Sequence, residues 1–218
     1  MSDPNRLDEA RAALRRRQGL GARYDAPNAP GQELDWARRG TAYFARKLNE
    51  LRDTDLHCDS AVAGWTRRHV IAATAYHARM LARAAESART GQVIALYEHP
   101  ARRDDEIEDG ATLPAGALRH LVDHAAVHLN VEWRDLSPGD WDRPLPYAAL
   151  ATARLSPWIR AKQVWRRALD LRNGASPRDF PKDFLERLLA ERLNRPLGPD
   201  DDLHALALSA LGPGRTDY

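Results

Sequence analysis

Four side chains able to bind a metal or move a proton recur every fourth position in one stretch of the chain: His120, His124, His128 and Glu132. A spacing of four places side chains on one face of an α-helix, so the row could present imidazoles and a carboxylate to a metal ion. By helical angle, His120 faces away from the apolar stripe Leu118, Leu121, Ala125 and Leu129, and the row turns inward only toward His128 and Glu132. With His77, which falls on the apolar face of an upstream helix, those two make a candidate three-ligand group. The alternative is a hydrogen-bonded core histidine and a solvated row. Cys58 stands between His57 and Asp59, and a nearby base would activate its thiol as a nucleophile. Histidine beside cysteine in sequence is also common by chance. Arg103, next to Arg102 in an acidic stretch, can grip a carboxylate or pair with neighbouring acids at the surface.

The rest of the composition narrows the classes of function. The 218 residues suffice for one core, and the 33 basic side chains are balanced by 31 acidic ones for a net charge of +2. That balance supplies no electrostatic footprint for nucleic acid. No apolar run reaches the roughly eighteen residues needed to span a bilayer. The charged segment Met1 to Gln18 does not read as a signal peptide, and a single cysteine suits a reducing compartment. The expectation is a cytoplasmic protein that binds neither nucleic acid nor membrane.

The elements that must position these side chains are helices. Asp3 and Pro4 open a short helix to about Arg17, and Gln18 to Gly31 is a connector. Leu34, Ala37, Thr41, Phe44, Leu48 and Leu51 predict a long amphipathic helix from Glu33 to about Arg52. Val70, Thr74, His77, Leu81, Ala84 and Ala88 predict a second from Thr66 to Thr90. The acidic stretch Gly91 to Thr112 is a connection with a turn or two of helix. A third helix runs from Pro114 to Leu136 and a fourth from Ser156 and Pro157, a cap and a first-turn proline, to about Arg172. A short fifth spans Pro181 to Leu193. Four long helices without a fixed repeat give an all-α four-helix bundle. The expected organisation is an N-terminal helix and connector over 1–32, a bundle over 33–193 and a tail over 194–218.

Three segments carry a resemblance. Gly64-Trp65-Thr66-Arg67-Arg68-His69-Val70 resembles Gly-Trp-Thr-Arg-Gly-His-Val, a motif of the mycothiol-dependent maleylpyruvate isomerase family at the start of its second helix. Arg103, Asp104, Glu106, Ile107 and Glu108 resemble that family's acidic connection. The run from Pro157 to Leu171 is similar to its Pro-Trp-Met-Arg-x-Arg-Glu-Val-Trp-Val-His-Ala-Val-Asp-Leu. The resemblance implies a DinB-like bundle, with the tail as the remnant of a small C-terminal α/β domain. It also implies a zinc ion held by a histidine of the second helix and by a glutamate and a histidine four residues apart on the fourth.

His69 stands at the first of those positions, but Gln163 and Arg167 replace the other two. A neutral amide is a poor zinc ligand, and a guanidinium has no lone pair and repels the ion. Zinc is therefore not expected, although a low-molecular-weight thiol remains an implied cofactor. Gln163 and Arg167 also lie with Arg160, Arg166 and Asp170 on the polar side of their helix, which a solvated surface would explain equally well. The leading expectation is thiol-dependent cis–trans isomerisation of a small unsaturated oxo-dicarboxylate, with His69 handling the proton and Arg103 and Arg167 holding carboxylates. The competing expectation is a bundle that has lost its metal and its chemistry and serves as a binding or interaction module.

Overall fold

The computed structural model describes residues 24–97, 103–148, 150–198 and 201–210. The expected N-terminal helix lies outside them. The α-helices among the described residues are α1 (Gly31–Asn49), α2 (Arg67–Thr90), α3 (Arg103–Ala111), α4 (Ala115–Asp135), α5 (Ser156–Asp170), α6 (Lys182–Leu193) and α7 (Leu203–Ala210). Helices α1, α2, α4 and α5 form the four-helix bundle expected from the apolar spacing. Its two main pairs are α1 with α5 and α2 with α4, joined by the contact of α2 with α5. A small antiparallel hairpin, β1 (Pro144–Tyr147) with β2 (Leu150–Thr152), precedes α5 and has no counterpart in the sequence reading. No described helix is long and apolar enough to cross a membrane.

Three arginines tie the bundle ends together by donating to carbonyls that helix termini leave without intrahelical partners. Arg119 of α4 reaches the Leu48 carbonyl in the last turn of α1 and the Leu51 carbonyl just past its end. Arg67 reaches Leu171 and Arg172 past the end of α5. Arg68 reaches Ala111 and Leu113 past the end of α3. The second and third of these clips bring the ends of α5 and α3 to the first turn of α2, which is where the resemblance places the chemistry.

Helix α5 is buried nearly all round. Its apolar stripe, Ala161, Val164, Trp165 and Ala168, faces α1, where Gly40 allows close approach. A β-carbon there would sit 2.7 Å from both Trp165 Nε1 and Val164 Cγ1, and Trp165 Nε1 donates to the Trp36 carbonyl at 3.0 Å. The solvated-face alternative for the other side of α5 is overturned, because Arg160, Gln163, Arg166, Arg167 and Asp170 are all buried. Ser156 is also not the predicted cap. It already has helical backbone angles, and its buried hydroxyl accepts from Trp133 Nε1 and donates to the Ala153 carbonyl.

Helix α6 covers the α1–α5 pair through an aromatic cluster of Trp36, Tyr43, Trp158, Trp165, Phe180 and Phe184. The Arg187 guanidinium stacks 4.3 Å from the Trp158 ring centre and pairs with Glu33. Tyr43 donates to Asp179 at 2.6 Å, and burial together with that carboxylate pushes its phenol up.

Candidate active site

Residues 59–66 fold into a tight loop before α2. The Ser60 N–H donates to the Trp65 carbonyl and the Trp65 N–H to the Val62 carbonyl, with Gly64 at φ +77° supplying the left-handed turn that side chains disfavour. Thr66 then caps α2 in a reciprocal box with His69, each side chain accepting from the other's backbone N–H. Thr66 N lies 3.1 Å from His69 Nδ1. A backbone amide can only donate, so Nδ1 is unprotonated and the ring proton sits on Nε2. Nε2 faces Glu108 Oε2 of α3 at 3.1 Å.

The indole of Trp65 joins this imidazole to α5. His69 stacks on it at 6.1 Å between ring centres and 25° between planes. On α5, the Arg167 guanidinium carbon lies 5.2 Å from the Trp65 ring centre. Arg167 Nη1 donates to Asp170 Oδ2 at 2.8 Å, both side chains being at most 5% exposed. Burial pushes the Asp170 carboxyl up, and the guanidinium groups of Arg167 and Arg166 pull it only part of the way back. Gln163 Oε1 accepts from Arg160 Nη1 at 2.9 Å, and the same nitrogen donates to the Thr74 carbonyl at 2.8 Å. Farther along the α2–α3 groove, a cavity of about 150 Å³ is lined by Tyr76, Arg79, Arg83, Glu106 and Asp109 among others.

The model of the mycothiol maleylpyruvate isomerase N-terminal domain family matches residues 37–172. The chain belongs to that family. Two crystal structures of the mycothiol-dependent maleylpyruvate isomerase superpose with a TM-score of 0.70 over 74% of this chain and 68% of theirs. One is a histidine-to-alanine mutant at 36% sequence identity, and the other is at 35%. No curated protein matches the chain significantly.

Within this maleylpyruvate isomerase-type bundle, the positions that the motif resemblance assigns to zinc are built for something else. The Gln163 oxygen is committed to a guanidinium, and Arg167 brings a fixed cation. The residues present do not fit zinc. Asp170, which occupies the motif's aspartate three residues after its histidine, pairs here with an arginine instead.

The other sequence candidates separate. His128 Nε2 lies 3.6 Å from Glu132 Oε1, and Glu132 also accepts from Arg89. Among the described residues no three His, Cys, Asp or Glu side chains converge as a metal group, which corrects the combination of His77, His128 and Glu132. His120 and His124 are exposed, as their helical angle predicts. Cys58 is exposed, and among the described residues its sulfur has no hydrogen-bond partner; His57 approaches Arg68 at 3.5 Å instead. Arg103 opens α3, but its side chain lies outside the description. The sequence reading missed Trp65, Glu108 and Asp170 as site residues. All three fall inside the quoted motif segments, which was the available signal.

Proposed function

We propose that the chain catalyses thiol-dependent cis–trans isomerisation of a small unsaturated oxo-dicarboxylate, as a maleylpyruvate isomerase-type enzyme that works without zinc. The observation that carries the reading is the placement of an imidazole and a guanidinium, from two different helices, on one indole ring. A thiolate adds to the cis double bond, forming a C–S bond as the π pair moves toward the oxo group. The carbon–carbon bond, now single, rotates, and expulsion of the thiolate restores the double bond in the trans form. No electrons or atoms are gained or lost overall.

In this scheme Arg167, and Arg103 from the start of α3, hold the carboxylates by paired charge-assisted hydrogen bonds. His69 Nε2–H, which Glu108 accepts in the resting site, is turned to the oxygen on which negative charge develops. The implied cofactor is a low-molecular-weight thiol. Purified protein supplied with maleylpyruvate tests it. Isomerisation should need added thiol and fall by about 100-fold or more in His69→Ala. Bound substrate without turnover under any thiol would replace the enzyme by the binding-module reading.

A further inference from the structure

Arg167 is well placed to bind a carboxylate and yet is shut away. Its side chain is 5% exposed, its only hydrogen bond among the described residues runs from Nη1 to Asp170, and its buried Nε has no partner among them. The face of the guanidinium is covered by the Trp65 indole. The backbone under that indole is held at both ends, by the turn hydrogen bonds of residues 60–65 and by the Ala61 N–H donating to the Asp170 carbonyl at 2.9 Å. Loop movement would break these bonds, whereas rotation of one side chain would not.

We propose that the Trp65 side chain is a gate over Arg167, swinging about its own bonds to admit the carboxylate of a small dicarboxylate and closing on the cation when the site is empty. This rests on the reading of Arg167 as an anion anchor. The resting contact is a cation–π pair, so the closed state should outweigh the open one by about two- to thirtyfold.

The molecule carries its own reporter. Trp36, Trp133, Trp141, Trp158 and Trp165 are at most 8% exposed, whereas Trp65 is half-buried. Maleate is the probe, followed by intrinsic fluorescence and calorimetry on the full chain. In the wild type a saturable fluorescence change should track the calorimetric isotherm. In Trp65→Phe that change should vanish while binding persists, and Trp65→Ala should tighten the calorimetric Kd by about two- to thirtyfold. Maleate binding to wild type and Trp65→Phe with the same fluorescence response, or with none in either, overturns the gate. Binding seen only in Trp65→Ala supports a gate held shut. Binding to neither wild type nor Trp65→Ala, with both folded by circular dichroism, rejects the anion site and the gate together.

Discussion

Truncating either partner of the Arg167–Asp170 pair should cost unequal amounts. The pair is 2.8 Å long with side chains 5% and 2% exposed, so it lies in the regime where removing one partner leaves an uncompensated buried charge. In Asp170→Ala the stranded group is a buried guanidinium, with the buried Arg166, which also acts on position 170, next to it in the chain. A guanidinium cannot shed its proton, and the loss should be about 3–5 kcal/mol. In Arg167→Met the stranded group is a carboxyl that burial already pushes up, so it can take a proton, and the loss should be about 1–3 kcal/mol. The pH dependence has a definite sign. A carboxyl whose folded pKa is raised contributes stability that is present below its unfolded value and lost as pH rises through the folded one. Arg167→Met should therefore gain stability relative to wild type as pH falls toward 4, while the deficit of Asp170→Ala should not shrink in this way. Urea unfolding of the wild type, both single variants and the double variant at pH 5 and pH 8 measures all of this. A loss of about 1 kcal/mol or less in Asp170→Ala would refute the reasoning, because that is the scale of a solvated surface pair.

Two further outcomes follow from the packing. Gly40→Ala puts a methyl 2.7 Å from Trp165 Nε1 and Val164 Cγ1. Despite the better helix propensity of alanine it should destabilise by about 1–3 kcal/mol in urea melts; a stabilised variant would contradict the close approach of α1 and α5. Glu33 and Glu191 anchor the α6 contact. Burial, the largest single effect, would raise both, but the hydrogen bond and charge of Arg187 on Glu33, with its backbone hydrogen bond and Arg154, and those of Lys162 on Glu191, with Trp158 and Arg187, together outweigh it and leave both below the ordinary 4.5. Their contribution is present above that value and disappears as pH falls through the lowered ones. Near-UV circular dichroism of the tryptophans around α6 should thus weaken below pH 4, and less so in Glu191→Gln, where the titrating group is gone.

The helices were legible because their apolar residues recur at helical spacing, as in Leu34, Ala37, Phe44 and Leu48, all buried. Periodicity could not show that the polar side of α5 is also interior. Arg160, Gln163, Arg167 and Asp170 follow the same spacing that a solvated stripe would, and only the pairing of their charges across buried contacts distinguishes the two. The hairpin before α5 was missed because its strands are short, β1 is interrupted by prolines, and neither carries an alternation long enough to read. His69 was found through a motif, yet its hydrogen bond to Thr66 fixes its tautomer, and its contact with Glu108 depends on where α3 lands. Arg68 helps to determine that landing through carbonyls more than forty residues away.

Of the positions corresponding to the motif's zinc ligands, 167 holds a buried cation paired with Asp170, an arrangement that should exclude zinc. Zinc content by elemental mass spectrometry, after purification from zinc-supplemented medium, addresses it directly. The wild type should carry no stoichiometric zinc, and Gln163→Glu/Arg167→His should gain about one ion per chain, because carboxylate and imidazole then share one helical face and the motif's third ligand position is His69. A wild-type protein holding about one zinc per chain and losing it in His69→Ala would contradict the account.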